Sequence, residues 1–301
     1  AQVPRFSMDV YGTDLYPSQQ VFKYPKAGDP NAQVSLHVYD LENQKTSNVD
    51  LSGYNSHYIP RIKWTHDANV LSVQTTNRKQ NTIDLIFVDT SKNETSLVLQ
   101  EKDDAYVDVT DNLTFFKDNS FIWTSERDGW NHIYHFNKSG VLKNQITKGP
   151  WEVTNYYGYD PQKNTVFYQS TENGSINRGV YSVNIKGKNK KELSVAIGTN
   201  RAAFSADYSY YINTFQSATI PSIFTLNSTK TGAVVKQIKD NTDLAVKVAG
   251  YKMSEKEFST ISINGNDLNM YTIKPLDFDP SKKYPLFMYQ YSGPGSQNVA
   301  N

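Results

Sequence analysis

Leu85-Ile86-Phe87-Val88-Asp89 is one of five stretches that decide the architecture. The others are Leu36-His37-Val38-Tyr39-Asp40, Ile133-Tyr134-His135-Phe136-Asn137, Val180-Tyr181-Ser182-Val183-Asn184 and Ile223-Phe224-Thr225-Leu226-Asn227. Each is a short strand with two apolar residues three apart, followed at once by Asp or Asn, the start of a turn. The turn residues stand at 40, 89, 137, 184 and 227, so the spacing narrows from 49 to 43 residues. A period of that length is the signature of a repeat architecture.

Working outward, every copy from the second onward follows a strand, a polar turn and a more apolar strand. Ile62-Lys63-Trp64 precedes Val70 to Val73, and Leu113 to Phe116 precedes Phe121-Ile122-Trp123. Tyr156 to Tyr159 with Val166 to Tyr168, and Ala202 to Phe204 with Tyr208 to Ile212, continue the series. One more strand follows each anchor, such as Ser96 to Leu99 or Ala233 to Val235. About four antiparallel strands every 40 to 50 residues describe a β-propeller blade. A β-helix turn is far shorter, and an immunoglobulin-type unit needs roughly 100 residues. The 21 Tyr and 14 Phe fit pleated sheets, and no segment sustains a 3.6-residue apolar period.

The fold class is therefore all-β. About five blade-like units, the first without its opening hairpin, occupy residues 1–245. Five units in open array would leave strand edges that propellers seal, so the series reads as part of a larger ring. Residues 246–301 change character. Phe258 to Ile263 and Leu268 to Ile273 form a hairpin around Asn264-Gly265-Asn266. Tyr284-Pro285-Leu286-Phe287-Met288-Tyr289-Gln290-Tyr291 reads as a strand buried on both faces, ending at Ser292-Gly293-Pro294-Gly295-Ser296-Gln297. A strand feeding a glycine-rich loop resembles the opening of an α/β domain, where active sites collect beyond strand ends.

With 31 Lys+Arg against 30 Asp+Glu there is no basic excess to bind nucleic acid, and the Lys186 to Lys191 run reads as a solvated turn. No stretch nears the ~20 apolar residues of a membrane span. Zero cysteine excludes disulfides, thiolate metal sites and cysteine nucleophiles. Sequons at Asn93, Asn112, Asn137, Asn173 and Asn227 carry little weight in so polar a chain. There is no Gly-x-Ser-x-Gly elbow, P-loop or paired-histidine zinc motif, and no cofactor is called for. His132 and His135 point to opposite faces of a strand, which spoils them as joint metal ligands. Glu101, Asp103, Asp104 and Asp108 read as a solvated connection between blades, and Gly293-Pro294-Gly295 as a tight turn rather than a phosphate cradle. Trp64, Trp123, Trp130 and Trp151 are expected to anchor blade packing.

Four motifs, in order, carry a family resemblance: Tyr24-Pro25-Lys26-Ala27-Gly28, Ser125-Glu126-Arg127-Asp128-Gly129-Trp130, Lys148-Gly149-Pro150-Trp151-Glu152-Val153, and Tyr284-Pro285 through Gln297. Together they resemble the dipeptidyl peptidase IV family of serine peptidases, in the prolyl oligopeptidase superfamily. The resemblance implies part of an eight-bladed propeller followed by the first strands of an α/β-hydrolase domain. It implies an exopeptidase that removes Xaa-Pro or Xaa-Ala dipeptides from free amino ends, acting as a homodimer, with the propeller gating access. Tyr291 matches the family's tyrosine whose hydroxyl stabilises the oxyanion. The family's triad lies downstream of Asn301 and its paired glutamates upstream of Ala1, and this chain has no Glu-Glu pair. The 301-residue chain alone is thus expected to be inactive. Absent cysteines, set against the family's disulfide-bearing relatives, suggest a bacterial enzyme, and the resemblance implies a periplasmic or secreted one. The competing class is a non-catalytic propeller that binds a protein partner, and such a module needs no Tyr-x-Gly-Pro loop.

Overall fold

The computed structural model describes residues 2–194, 196–291, 293 and 295–301. It divides into two compact units, residues 1–111 and 112–301. In the first unit β1 (Arg5–Val10) and β2 (Ser18–Lys23) form a hairpin, as do β3 (Leu36–Asp40) and β4 (Lys45–Val49). The strands β5 (Tyr58–Trp64), β6 (Val70–Thr76), β7 (Thr82–Asp89) and β8 (Glu94–Lys102) then form a four-stranded meander. Its face packs on the β3–β4 hairpin through Leu71, Val73, Ile86 and Val88 against Val49 and Leu51.

The second unit holds three such meanders. They are β9 (Thr114–Phe115), β10 (Phe121–Ser125), β11 (His132–Phe136) and β12 (Leu142–Gln145); β13 (Val153–Asp160), β14 (Thr165–Ser170), β15 (Gly179–Asn184) and β16 (Lys191–Glu192); and β17 (Thr199–Phe204), β18 (Tyr210–Gln216), β19 (Ile223–Ser228) and β20 (Val234–Lys239). An eight-residue helix α1 (Thr242–Ala249), with no buried residue, leads to the hairpin β21 (Glu257–Ile263) and β22 (Asn266–Thr272).

The five anchor stretches coincide with β3 and with the third strand of each meander, β7, β11, β15 and β19. The acid or amide after the anchor recurs because it caps the turn. Asp40 Oδ1 accepts from the Glu42 N–H at 2.8 Å, Asp89 from Ser91 at 3.0 Å, Asn137 from Ser139 at 2.9 Å and Asn184 from Lys186 at 2.9 Å. Asn227 departs from this: it is fully buried and accepts from the Thr225 hydroxyl at 2.6 Å. A second set, invisible to the strand pattern, caps the turn between first and second strands. Asp67, Asp118, Asp160 and Asp207 accept the N–H two residues on, at 3.0, 3.0, 2.8 and 3.1 Å.

Alternation along the middle strands shows how the meanders stack. Val166 and Tyr168 of β14, with Tyr181 and Val183 of β15, face Ile122, Ile133 and Ile146 of the preceding sheet. The intervening Phe167 and Val180 face Tyr211 of the following sheet. Period-2 side chains therefore join two cores through one sheet, the packing of successive propeller blades. Polar ties reinforce it: the Tyr211 hydroxyl donates to Leu193 O at 2.6 Å and the Gln169 amide to Asn200 O at 2.5 Å. Burial pushes the Tyr211 phenol up to about 12, so it stays a neutral donor.

Several expectations are corrected. Only Trp123 and Trp151 are packed in cores, whereas Trp64 and Trp130 are more exposed than buried tryptophans would be. The lysine-rich turn is exposed from Lys186 to Lys190, as expected of a solvated turn, with Lys190 paired to Glu172 while still half exposed. The run from Tyr284 to Tyr291 is no strand: a strand needs a ladder partner, and the described residues give it none. Leu286 is 87% and Phe287 90% exposed. The β1–β2 hairpin and α1 carry no sustained apolar period, so the sequence pattern does not mark them.

The turn carboxylates make an acid-stability prediction. Asp89 is held at about 2, chiefly by the Ser91 hydroxyl, and Asp207 at about 2, chiefly by the Ser205 and Ser209 hydroxyls, against an ordinary value of 3.8. Folded values below the unfolded one mean that their contribution is complete above about pH 4 and is lost as pH falls toward about 2. The urea midpoint is expected to be lower at about pH 2.5 than at about pH 6. Replacing both residues by Asn keeps the acceptor oxygen without the titration and should narrow that gap. A gap unchanged by the pair would place the acid loss elsewhere.

Candidate functional site

Three of the four motifs are built into sheets and turns. In the first, the Asp29 N–H donates to Lys26 O at 3.0 Å, and the Lys26 ammonium sits 3.9 Å over the Phe6 ring. In the second, the Gly129 N–H closes on Glu126 O at 2.8 Å while the Arg127 guanidinium lies 4.9 Å over Tyr134. In the third, the Trp151 indole folds onto Gly149, whose carbonyl lies 3.0 Å from His132 Nε2. Their turns and ring contacts shape blades, and their charged side chains, among them Lys26, Glu126, Asp128 and Lys148, stand exposed.

The histidines are also structural. His132 is fully buried, its Nδ1 lies 3.1 Å from the Thr147 hydroxyl, and its ring meets Trp151 edge-on. His135 Nε2 lies 3.1 Å from the Ser120 hydroxyl, and burial holds its imidazole below the usual range. Asp103, Asp104 and Asp108 stand exposed in the connection after β8, with Asp103 Oδ1 accepting from the Ala105 N–H at 2.7 Å. No three His, Asp or Glu side chains gather to hold a metal ion among the described residues.

The fourth motif differs from the others. Tyr284 anchors its start: the ring stacks on Phe278 with centroids 5.1 Å apart, and its oxygen accepts from the Asp279 N–H at 2.8 Å. Seven residues on, Tyr291 is 65% exposed, and its phenol has no hydrogen-bond partner among the described residues. The ring lies against Gly293, so close that a Cβ there would stand 2.9 Å from the phenol oxygen. The loop then turns back: the Ser296 N–H and hydroxyl both donate to Gly293 O, at 3.2 and 2.6 Å. Gly295 holds φ 68, a conformation strained for any residue with a Cβ. Among the described residues this stretch carries a phenol donor without a hydrogen-bond partner, while the expected tight turn at Gly293-Pro294-Gly295 lies partly outside the described residues.

One group in the first unit went unnoticed in the sequence. Asp84 is buried in β7 and accepts from the Asn55 N–H and side-chain amide at 2.9 Å each and from the Gln100 amide at 2.8 Å. A lone acid between Ile83 and Leu85 was the available signal. Its full set of donors makes it a tie between loop and sheet.

Successive four-stranded meanders stacked face to face, then a hairpin and a phenol-bearing glycine turn, define a β-propeller protein. Residues 1–222 match the family model described as dipeptidyl peptidase IV (DPP IV) N-terminal region, and the chain belongs to that family. A probable dipeptidyl-aminopeptidase B of Pyrenophora teres f. teres is 33% identical over 312 residues, covering 96% of this chain and 34% of the relative. The crystal structure of Porphyromonas gingivalis dipeptidyl peptidase 4 superposes with a TM-score of 0.91 at 41% identity, over 100% of this chain and 43% of that one. A putative dipeptidyl aminopeptidase IV from Bacteroides ovatus shares the fold, with a TM-score of 0.81 at 24% identity, over 99% of this chain and 45% of that one. The chain thus spans about a third to somewhat under half of the length of these relatives. No helix among the described residues is long and apolar enough to cross a membrane.

Proposed function

We propose that this chain is the propeller and the approach to the hydrolase of a serine exopeptidase that releases Xaa-Pro or Xaa-Ala dipeptides from peptide amino ends. Propeller blades occupy residues 1–245, and the link to the hydrolase and its first segments residues 246–301. Tyr291 supplies a donor to the oxyanion. The observation that carries the reading is the Tyr-x-Gly-Pro-Gly loop, whose phenol is exposed, unpartnered among the described residues and folded onto Gly293. A phenol aimed at developing charge stabilises a tetrahedral intermediate more than the ground state, which is what raises turnover. Likeness to a Porphyromonas gingivalis enzyme over the whole chain supports a bacterial source; location in the periplasm or outside the cell, and action as a homodimer, belong to the same proposal.

The test compares two polypeptides. The full-length protein should release p-nitroaniline from Gly-Pro-p-nitroanilide and lose that activity to a serine-directed phosphonate. The 301-residue chain should release none, because it holds neither the nucleophile nor the paired glutamates. Hydrolysis by the short chain, or an inert full-length protein, would remove this reading, and inertness in both would favour a binding propeller.

A further inference from the structure

Two turns meet at one end of the sheet β13–β16. The first joins β13 to β14 and ends at Asn164; the second joins β15 to β16 and holds the lysine run. Asn184 pairs in register with Thr165, and the Ile185 N–H donates to Asn164 O at 2.8 Å, which sets the turns side by side. They share an open hollow of about 470 Å³, lined by Asn164, Asn184, Ile185, Lys186, Lys188 and Asn189. That volume is ordinary for a small-molecule site. Gly187 lets the second turn lie down on the preceding sheet: its φ is 73, and a Cβ there would stand 3.0 Å from Ile146 O.

The lining is built of donors. Among the four lysines of the run, Lys190 pairs with Glu172 and the Lys191 ammonium donates to Lys230 O at 2.9 Å. Lys186 and Lys188, the two that line the hollow, have no ion-pair or hydrogen-bond partner for their ammonium groups among the described residues. No carboxylate lines it, and the one acid on these turns, Asp160, is buried and already paired with Lys163 at 3.0 Å. The amides are oriented by their oxygens. Asn164 Oδ1 accepts from the Tyr159 hydroxyl at 2.8 Å, and Asn184 Oδ1 accepts from the Lys186 N–H at 2.9 Å. An amide whose oxygen is taken still offers two N–H donors, and neither amino group has a partner among the described residues.

We propose that this hollow binds a phosphate or sulfate group, free or carried as a monoester. Lys186 and Lys188 supply the charge, and Asn164 and Asn184 supply amide donors already turned away from their own acceptors. Two cations and two neutral donors from separate turns suit a tetrahedral anion with three or four oxygens better than a carboxylate with two. The hollow is larger than such an anion alone, so the body of an ester has room beside Ile185.

The test is titration calorimetry of the full-length protein at low salt, with glucose 6-phosphate, inorganic phosphate and glucose as probes. The two anions should bind and glucose should not; a tighter ester marks a carried group, and equal affinity marks the free anion. Lys186→Met with Lys188→Met should weaken binding at least about tenfold. Lys45→Met with Lys79→Met, which removes two exposed lysines of the first unit, should leave it unchanged. Asn184→Asp is the sharper variant. Aspartate already caps the matching turn at Asp89, so the fold is kept, while an amide donor becomes a carboxylate. Binding should then be lost with the melting temperature unchanged. Absence of binding by the parent protein, equal binding of glucose, full binding by the Asn184→Asp protein, or an equal loss in the Lys45 and Lys79 pair would overturn the proposal.

Discussion

Tyr291→Phe in the full-length enzyme is expected to lower kcat by about 100-fold while leaving KM within about twofold, the signature of a donor used only in the transition state. The substitution removes one oxygen from a ring that is 65% exposed and has no hydrogen-bond partner among the described residues, so among these residues no bond is lost with it. Gly293 offers an independent check. A Cβ at that position would stand 2.8 to 3.0 Å from the Tyr291 ring, and an exposed ring yields by swinging away. Gly293→Ala should therefore reduce kcat without lowering the melting temperature. Turnover in Tyr291→Phe equal to that of the parent would remove the oxyanion assignment, whatever the propeller does.

Gly158→Ala is expected to destabilise the second unit by about 3 kcal/mol, read as a shift in the urea midpoint. Two costs combine there. Gly158 sits at a register shift in β13 with φ 135, which residues with a Cβ rarely adopt. The added carbon would also stand 2.0 Å from the Tyr208 hydroxyl. Tyr208 cannot withdraw freely, since its ring stacks on Phe167 at 5.1 Å and a 2° interplanar angle, within the core shared by two sheets. In a Tyr208→Leu background the same substitution should cost only the backbone term, about 1 kcal/mol. An unchanged midpoint in the first variant would mean that the phenol leaves its groove at no cost.

Much of the fold was legible because it is written in short-range chemistry. A strand ending in Asp or Asn needs only its own next few residues to form a capped turn, as Asp40, Asp89, Asn137 and Asn184 do. Repeated at 43 to 49 residues, that unit leaves one architecture that buries both faces of each sheet. The Asp67, Asp118, Asp160 and Asp207 set was equally local and could have been found by aligning the repeats on their first turn. The family motifs were legible too, although Gly149 and Trp151 matter as a packing pair and not as chemistry.

Tertiary structure alone decided the rest. Leu286 and Phe287 have the apolarity of a buried strand, yet burial depends on a neighbouring strand, and nothing in their own sequence supplies one. Whether Tyr291 packs inward or stands exposed depends on the backbone at Gly293, against which its ring lies. Pattern and capping act over a few residues and survive reading in one dimension. Ties between distant segments, such as the Tyr211 hydroxyl on Leu193 O and the Gln169 amide on Asn200 O, exist only once the blades have stacked.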